Sequence, residues 1–146
     1  MTAVLAIFLY KHITPRSLQL NDPLWLEPAR FESQTGELST ILSASNSAVK
    51  IGAQTKNSFV YNGQYPGPTF VLKGGDTFKV NLQNHITEDT NLHFHGSHVS
   101  PKENSDNVFV QVEPDSEFNY EYHLPATHPP GLYWYHPHWH GHTEDQ

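Results

Sequence analysis

The segment TFKVNLQ (residues 77–83) alternates apolar and polar side chains, with Phe78, Val80 and Leu82 at every second position. Successive side chains of a β-strand point to opposite faces, so this spacing predicts a strand with one buried face and one solvated face. The residues before it, Gly74, Gly75 and Asp76, are typical of a tight turn. The segment therefore predicts an antiparallel β-domain built around a half-buried strand.

Short segments of the same kind occur on both sides of this strand. They are residues 38–44, 49–53, 59–61, 69–73, 108–112 and 118–124, and the polar residues 45–47 are predicted to form a turn between the first two. Eleven prolines and nine glycines separate the segments, and no stretch shows the 3.6-residue apolar repeat of a helix. The pattern predicts an all-β fold, a Greek-key β-sandwich.

Length and charge limit what the chain can be. Its 146 residues fit one ordinary domain. We place that domain at residues 36–146 and an extended lead-in at residues 1–35. The net charge of −7 disfavours binding to nucleic acid or to anionic lipid. The absence of cysteine excludes disulfides, thiolate zinc sites, iron–sulfur clusters and a cysteine nucleophile.

The amino-terminal residues 2–10 form an apolar run that is too short to span a bilayer as a helix. Its length suits part of a signal peptide, although no basic segment precedes it. Export would place the protein in the periplasm, outside the cell or at a membrane. The alternative is an ordinary amino-terminal segment of the domain.

Two segments, NLHFHG (residues 91–96) and YHPHWHGH (residues 135–142), hold six of the eleven histidines. In each, histidines two positions apart share one face of a strand. Pro137 cannot donate a ladder hydrogen bond, so the second pair is expected at a strand end or edge. We predict that the segments form one metal site, with the ligands His93, His95, His136 and His138.

The residues around these histidines narrow the choice of metal. Imidazole ligands without thiolate suit copper, zinc, iron or nickel, and copper heads the affinity order. The nearest acids, Glu103 and Asp106, lie outside both histidine segments, which disfavours a cupin site or an iron facial triad. His98 and His140 are candidates to support the ligands without binding metal themselves, and the alternative is that they are ordinary surface histidines.

The histidine segments resemble the two amino-terminal copper motifs of the multicopper oxidases, a family that includes laccases. The resemblance extends from about residue 26 to the end of the chain and includes the supporting segments 61–69 (YNGQYPGPT), 73–76, 104–108 and 120–125. It implies a cupredoxin-like, or plastocyanin-like, first domain that is incomplete at its carboxyl end and lacks its closing strand.

The resemblance also implies a role for each ligand. His93 would bind a type 2 copper, whereas His95, His136 and His138 would bind the type 3 pair of a trinuclear cluster that reduces dioxygen to water. The aromatic Trp134 would wall this site and support the ligands. Electrons would come from a phenol, an amine or a metal ion through a type 1 copper. That centre needs a cysteine, which this chain lacks. The type 1 centre and the remaining ligands would belong to a carboxyl-terminal cupredoxin domain of the same protein, so the fragment alone is expected to be inactive.

Two other interpretations remain open at this point. One is a stand-alone copper-binding or copper-delivery module without catalysis. The other is a zinc-dependent hydrolase with a three-histidine site. An open reading frame that continues into a His-Cys-His segment would favour the oxidase, and retention of zinc over copper would favour the hydrolase.

Overall fold

The computed structural model describes residues 27–143, and that part of the chain consists of strands and turns without a helix. Eight strands follow in chain order: β1 (Arg30–Glu32), β2 (Glu37–Ile51), β3 (Gln54–Tyr61), β4 (Thr69–Val71), β5 (Thr77–His85), β6 (His93–His95), β7 (Glu117–His123) and β8 (Trp134–His136). The predicted all-β class is therefore confirmed.

Four of these strands form the main sheet, in the order β3-β2-β5-β7. Strand β5 lies inside this sheet, parallel to β2 and antiparallel to β7. Its side chains alternate as the sequence predicts, and Phe78, Val80 and Leu82 are each at most 1% exposed. The central strand thus supplies one row of the hydrophobic core.

The predicted turn at residues 45–47 is wrong, because β2 runs through it without interruption. Ser45 pairs with Val60 and Ser47 with Ser58, so strand β3 satisfies the backbone at these polar positions. The chain reverses instead at Gly52, whose positive φ of 61° suits a tight hairpin turn. The two predicted strands at residues 38–44 and 49–53 are therefore one long strand, followed by the start of a turn.

The predicted strand at residues 108–112 is also absent, and only a single bridge joins Val112 to Thr90. Amide side chains take the place of a strand partner there. Asn91 Nδ2 donates to the carbonyl oxygens of Val108 (2.8 Å) and Val110 (3.2 Å). The segment is therefore held in an irregular loop, with its backbone oxygens accepting hydrogen bonds from a buried side chain.

Aromatic rings join the main sheet to the short β6–β8 pair. The ring of Phe94, from β6, lies 5.6 Å from Phe78 and 4.9 Å from Tyr122, both of which are buried on the main sheet. Tyr135, from β8, also packs against this core. The β6–β8 pair is thus a second layer over the main sheet, attached through one apolar face.

Two expectations concern the amino-terminal region. The apolar run at residues 2–10 and most of the lead-in at residues 1–35 lie outside the described residues. Strand β1, in the described part of that lead-in, pairs with β4. Within residues 27–143, no helix is long and apolar enough to cross a membrane.

We predict that Phe78→Ala lowers the free energy of unfolding by about 3–5 kcal/mol, because it leaves a cavity among three aromatic rings, those of Phe70, Phe94 and Tyr122. Chemical denaturation measures the loss. The matched control is Phe109→Ala, since Phe109 is 85% exposed and its removal should be close to neutral. Equal losses in the two variants would contradict the position of the core.

Candidate metal centre

The register between β6 and β8 places the two histidine segments side by side. His93 pairs with His136, Phe94 with Tyr135, and His95 with Trp134. Because side chains alternate along each strand, Phe94 and Tyr135 face the core and the other four face away from it. As predicted, His93 and His95 share one face of their strand.

Three of the four predicted ligands converge closely. His93, His95 and His136 each offer a ring nitrogen, and these nitrogens lie within 4.8 Å of one another. His138 lies beside them, with its ring centroid 5.3 Å from that of His93 and 6.0 Å from that of His136. The structure thus brings the four histidines into one cluster on the outer face of β6 and β8.

The hydrogen bonding of His136 leaves one of its ring nitrogens without a partner. Its Nδ1 donates a hydrogen bond to the Pro137 carbonyl oxygen at 2.7 Å, so the proton of the neutral ring is on that nitrogen. The other nitrogen, Nε2, is buried and has no hydrogen-bond partner. Burial lowers the pKa of His136, and the neighbouring imidazoles act in the same direction, whereas the hydrogen bond to Pro137 raises it. A neutral imidazole with a free buried lone pair fits a metal ion.

His93 is oriented by a carboxylate. Its Nδ1 lies 2.9 Å from Asp106 Oδ2, and the other carboxylate oxygen accepts a hydrogen bond from the Phe94 backbone N–H at 2.9 Å. A carboxylate only accepts, so Nδ1 of His93 carries the proton and Nε2 of the neutral ring is left for a metal.

The sequence does not predict the contact between Asp106 and His93. Asp106 lies outside both histidine segments, but the loop after β6 brings its carboxylate within hydrogen-bonding distance of His93. The separation of Asp106 from His93 in the sequence does not indicate that the two are in contact. The family resemblance at residues 104–108 includes Asp106 and could have drawn attention to it, but it assigned this residue no role.

Asn91 connects the two histidine segments. It is fully buried, and its Oδ1 accepts a hydrogen bond from the His138 backbone N–H at 2.6 Å. Its Nδ2 donates to the loop carbonyls described above. The position of His138 is therefore set by a residue of the first segment.

Trp134 forms a platform under two of the histidines. Its indole stacks on His136 at 4.1 Å and on His95 at 4.8 Å, with interplanar angles of 16° and 17°. The two imidazole centroids are only 6.0 Å apart, well short of the sum of the stacking distances, so both rings lie over the same indole face. Trp134 thus contacts two of the predicted ligands, and its supporting role stays a prediction.

The remaining histidines have other surroundings. His98 donates its backbone N–H to His128 Nε2 at 3.2 Å and packs its ring against that of His128. His140 is exposed, and His142 lies 2.9 Å from a Glu88 carboxylate oxygen. A supporting role for His98 and His140 stays a prediction.

We predict that Asp106→Asn reverses the tautomer of His93. The Phe94 N–H holds the asparagine oxygen, so the asparagine N–H groups face His93, whose Nδ1 must then accept and whose proton moves to Nε2. Nitrogen NMR of the metal-free imidazole detects this change. Glu103→Gln, a neutralised exposed acid of the same loop, should leave the His93 signals unaltered. An unchanged tautomer in Asp106→Asn would show that the carboxylate does not orient the ring.

The sequence of the chain matches a family model. The model, described as multicopper oxidase, matches residues 43–146. Copper resistance protein A of Escherichia coli is 33% identical over 84% of this chain, and Laccase-2 of Thanatephorus cucumeris is 31% identical over 64% of it. The chain spans only 18% and 17% of the lengths of these two relatives.

Solved structures show the same relationship. The multicopper oxidase from Campylobacter jejuni, titled a metallo-oxidase, matches 82% of this chain and 26% of its own with a TM-score of 0.70 and 25% identity. One from Pediococcus acidilactici matches 80% of this chain and 25% of its own with a TM-score of 0.67 and 25% identity. These likenesses confirm the predicted cupredoxin-like β-sandwich. With its sequence and its fold in agreement, the chain belongs to the multicopper oxidase family.

Proposed function

We propose that this chain is the amino-terminal copper-binding domain of a multicopper oxidase and supplies half of its trinuclear cluster. His93 would bind the type 2 copper, and His95, His136 and His138 the type 3 pair. The observation that carries the proposal is the convergence of the ring nitrogens of His93, His95 and His136 within 4.8 Å, with His136 Nε2 buried and unpartnered. Such a nitrogen is costly to leave without a partner, and a metal ion would satisfy it.

Each residue around the centre has a part in holding these ligands. Asp106 and the Pro137 carbonyl keep protons on the Nδ1 atoms of His93 and His136, which leaves the lone pair of each Nε2 atom available to a metal. Trp134 limits the rotation of the His95 and His136 rings by stacking on them. When bound, the coppers would supply the electron transfer that reduces dioxygen to water.

The rest of the catalytic machinery would lie outside these 146 residues. A type 1 copper centre requires a cysteine thiolate, and the chain has no cysteine. Four histidines are also too few to complete the coordination of three copper ions. We infer that a carboxyl-terminal cupredoxin domain of the same protein completes the cluster and oxidises the donor, a phenol, an amine or a metal ion. An exported location would accompany this activity.

The first test is copper binding by the 146-residue chain. We expect His136→Ala to weaken Cu(II) binding by about ten- to a hundredfold, since a buried ligand is removed. Competition with a chelator measures the affinity. The control is His85→Ala, because His85 is exposed at the end of β5 and should not contribute. Equal weakening in both variants, or tighter binding of Zn(II) than of Cu(II) by the unaltered chain, would contradict the assignment.

The second test concerns turnover in the full-length oxidase. His95→Ala and His138→Ala should each abolish dioxygen reduction while the type 1 copper is still reduced by substrate, because only the cluster loses a ligand. Oxygen consumption and the bleaching of the blue absorption band measure the two steps separately. Turnover at the unaltered rate in either variant would refute the role of that histidine.

A further inference from the structure

The segment YNGQYPGPT (residues 61–69) has no role in the copper site described so far, although it reaches the strand that carries His136. Tyr135, between Trp134 and His136 on β8, donates its hydroxyl hydrogen bond to the Pro68 carbonyl oxygen at 2.7 Å. The segment therefore contacts β8 from the core side, opposite to the metal-binding face.

Strand β8 depends on this contact because it has few others. It is three residues long and pairs only with β6 among the described strands. Tyr135 is its one side chain directed into the core, where the rings of Tyr61, Phe70 and Phe94 surround it, each with a centroid 5.4 Å away. The position of β8 is thus fixed largely through Tyr135.

The segment that receives Tyr135 is itself anchored at both ends. At its start, the Asn62 N–H donates to the Ser43 carbonyl oxygen, and Asn62 Oδ1 accepts from the Ser43 N–H, each at 2.8 Å. At its end, the Thr69 N–H donates to the Ala29 carbonyl oxygen at 2.8 Å. The Pro68 carbonyl is therefore a fixed acceptor tied to strands outside the metal centre.

Gly67 makes room for the tyrosine hydroxyl. A Cβ at this position would lie 2.6 Å from Tyr135 Oη and 3.3 Å from Tyr61 Cβ. Gly67 does not have a positive φ, so its backbone conformation would accept other residues and space is the constraint. The hydroxyl can move away only with its ring, and three aromatic rings confine that ring.

We propose that the turn at residues 61–68 is a positioning element of the copper centre, with Gly67 and Tyr135 as its positioning residues. It holds β8 from the core side and so sets the places of Trp134 and His136 on the opposite face. A side chain at position 67 would displace Tyr135 by several tenths of an ångström. Metal–ligand distances tolerate only about 0.2 Å, so the displacement would reach the site. The inference rests on the proposed function in that copper is taken as the metal.

The test uses four variants of the 146-residue chain. Gly67→Ala introduces the clash, Tyr135→Phe removes only the hydroxyl, and the double variant removes the atom with which the new Cβ would clash. The matched control is Tyr133→Phe, because Tyr133 donates the same kind of hydrogen bond, to the Pro129 carbonyl at 2.9 Å, but is exposed and outside the core cluster.

Three measurements are made on each variant: Cu(II) affinity by chelator competition, the NMR signals of the His136 ring and the Trp134 indole in EDTA, and the unfolding midpoint without metal. We expect Gly67→Ala to weaken Cu(II) binding by about tenfold and to shift both ring signals. The double variant should return to the level of Tyr135→Phe, since the two changes act on one contact. Tyr133→Phe should match the unaltered chain.

Several results would overturn the proposal. They are unaltered ring signals in Gly67→Ala, a double variant no better than Gly67→Ala, or equal effects of Tyr133→Phe and Tyr135→Phe. A change in the unfolding midpoint without any change in affinity or ring signals would also overturn it, because it would show a structural role alone. If Gly67→Ala does not fold, the two tyrosine variants decide. If the unaltered chain binds no Cu(II), the proposed function fails, and the metal-free ring signals still decide the positioning role.

Discussion

The register between β6 and β8 is the constraint on which the metal centre depends. With His93 opposite His136, the histidines face outward and Phe94 and Tyr135 face the core. A slip of one residue in either strand would bury its imidazoles and expose its aromatic ring. The aromatic pair prevents this slip, because burying the two rings is favourable and burying imidazoles in their place is not.

Phe94 and Tyr135 also connect the candidate metal site to the main sheet. Phe94 packs on Phe78 and Tyr122, and Tyr135 packs on Tyr61 and Phe70. Burial raises the pKa of Tyr135, which therefore stays a neutral donor to Pro68 at any physiological pH. The predicted ligands thus lie above closely packed side chains and beside the Trp134 indole, an arrangement that would suit a precise metal geometry.

Features that depend on a local sequence pattern could be predicted, whereas features that depend on long-range contacts could not. The alternation at Phe78, Val80 and Leu82 predicts the half-buried strand β5, and the His-x-His spacing predicts that His93 and His95 share one face of β6, because both are consequences of a two-residue period. The site assignments beyond this geometry remain proposals. The turn predicted at Ser45 and Ser47 is wrong because pairing with β3 outweighs the local preference of these polar residues for a turn. The sequence does not predict the contacts of Asp106 and Gly67, because these contacts are made with side chains that only folding brings close.

The side chains on the two faces of the β6–β8 pair differ in how far they are covered by other residues. On the core side, the aromatic rings are enclosed and the Tyr135 hydroxyl has its acceptor. On the metal side, His95 is exposed and Trp134 is 50% exposed, although their rings are already stacked. Ordering the ligands before the metal arrives lowers the entropic cost of binding, and open coordination positions allow further ligands to join. The order of these side chains therefore supports the proposal of a copper cluster that a second domain completes.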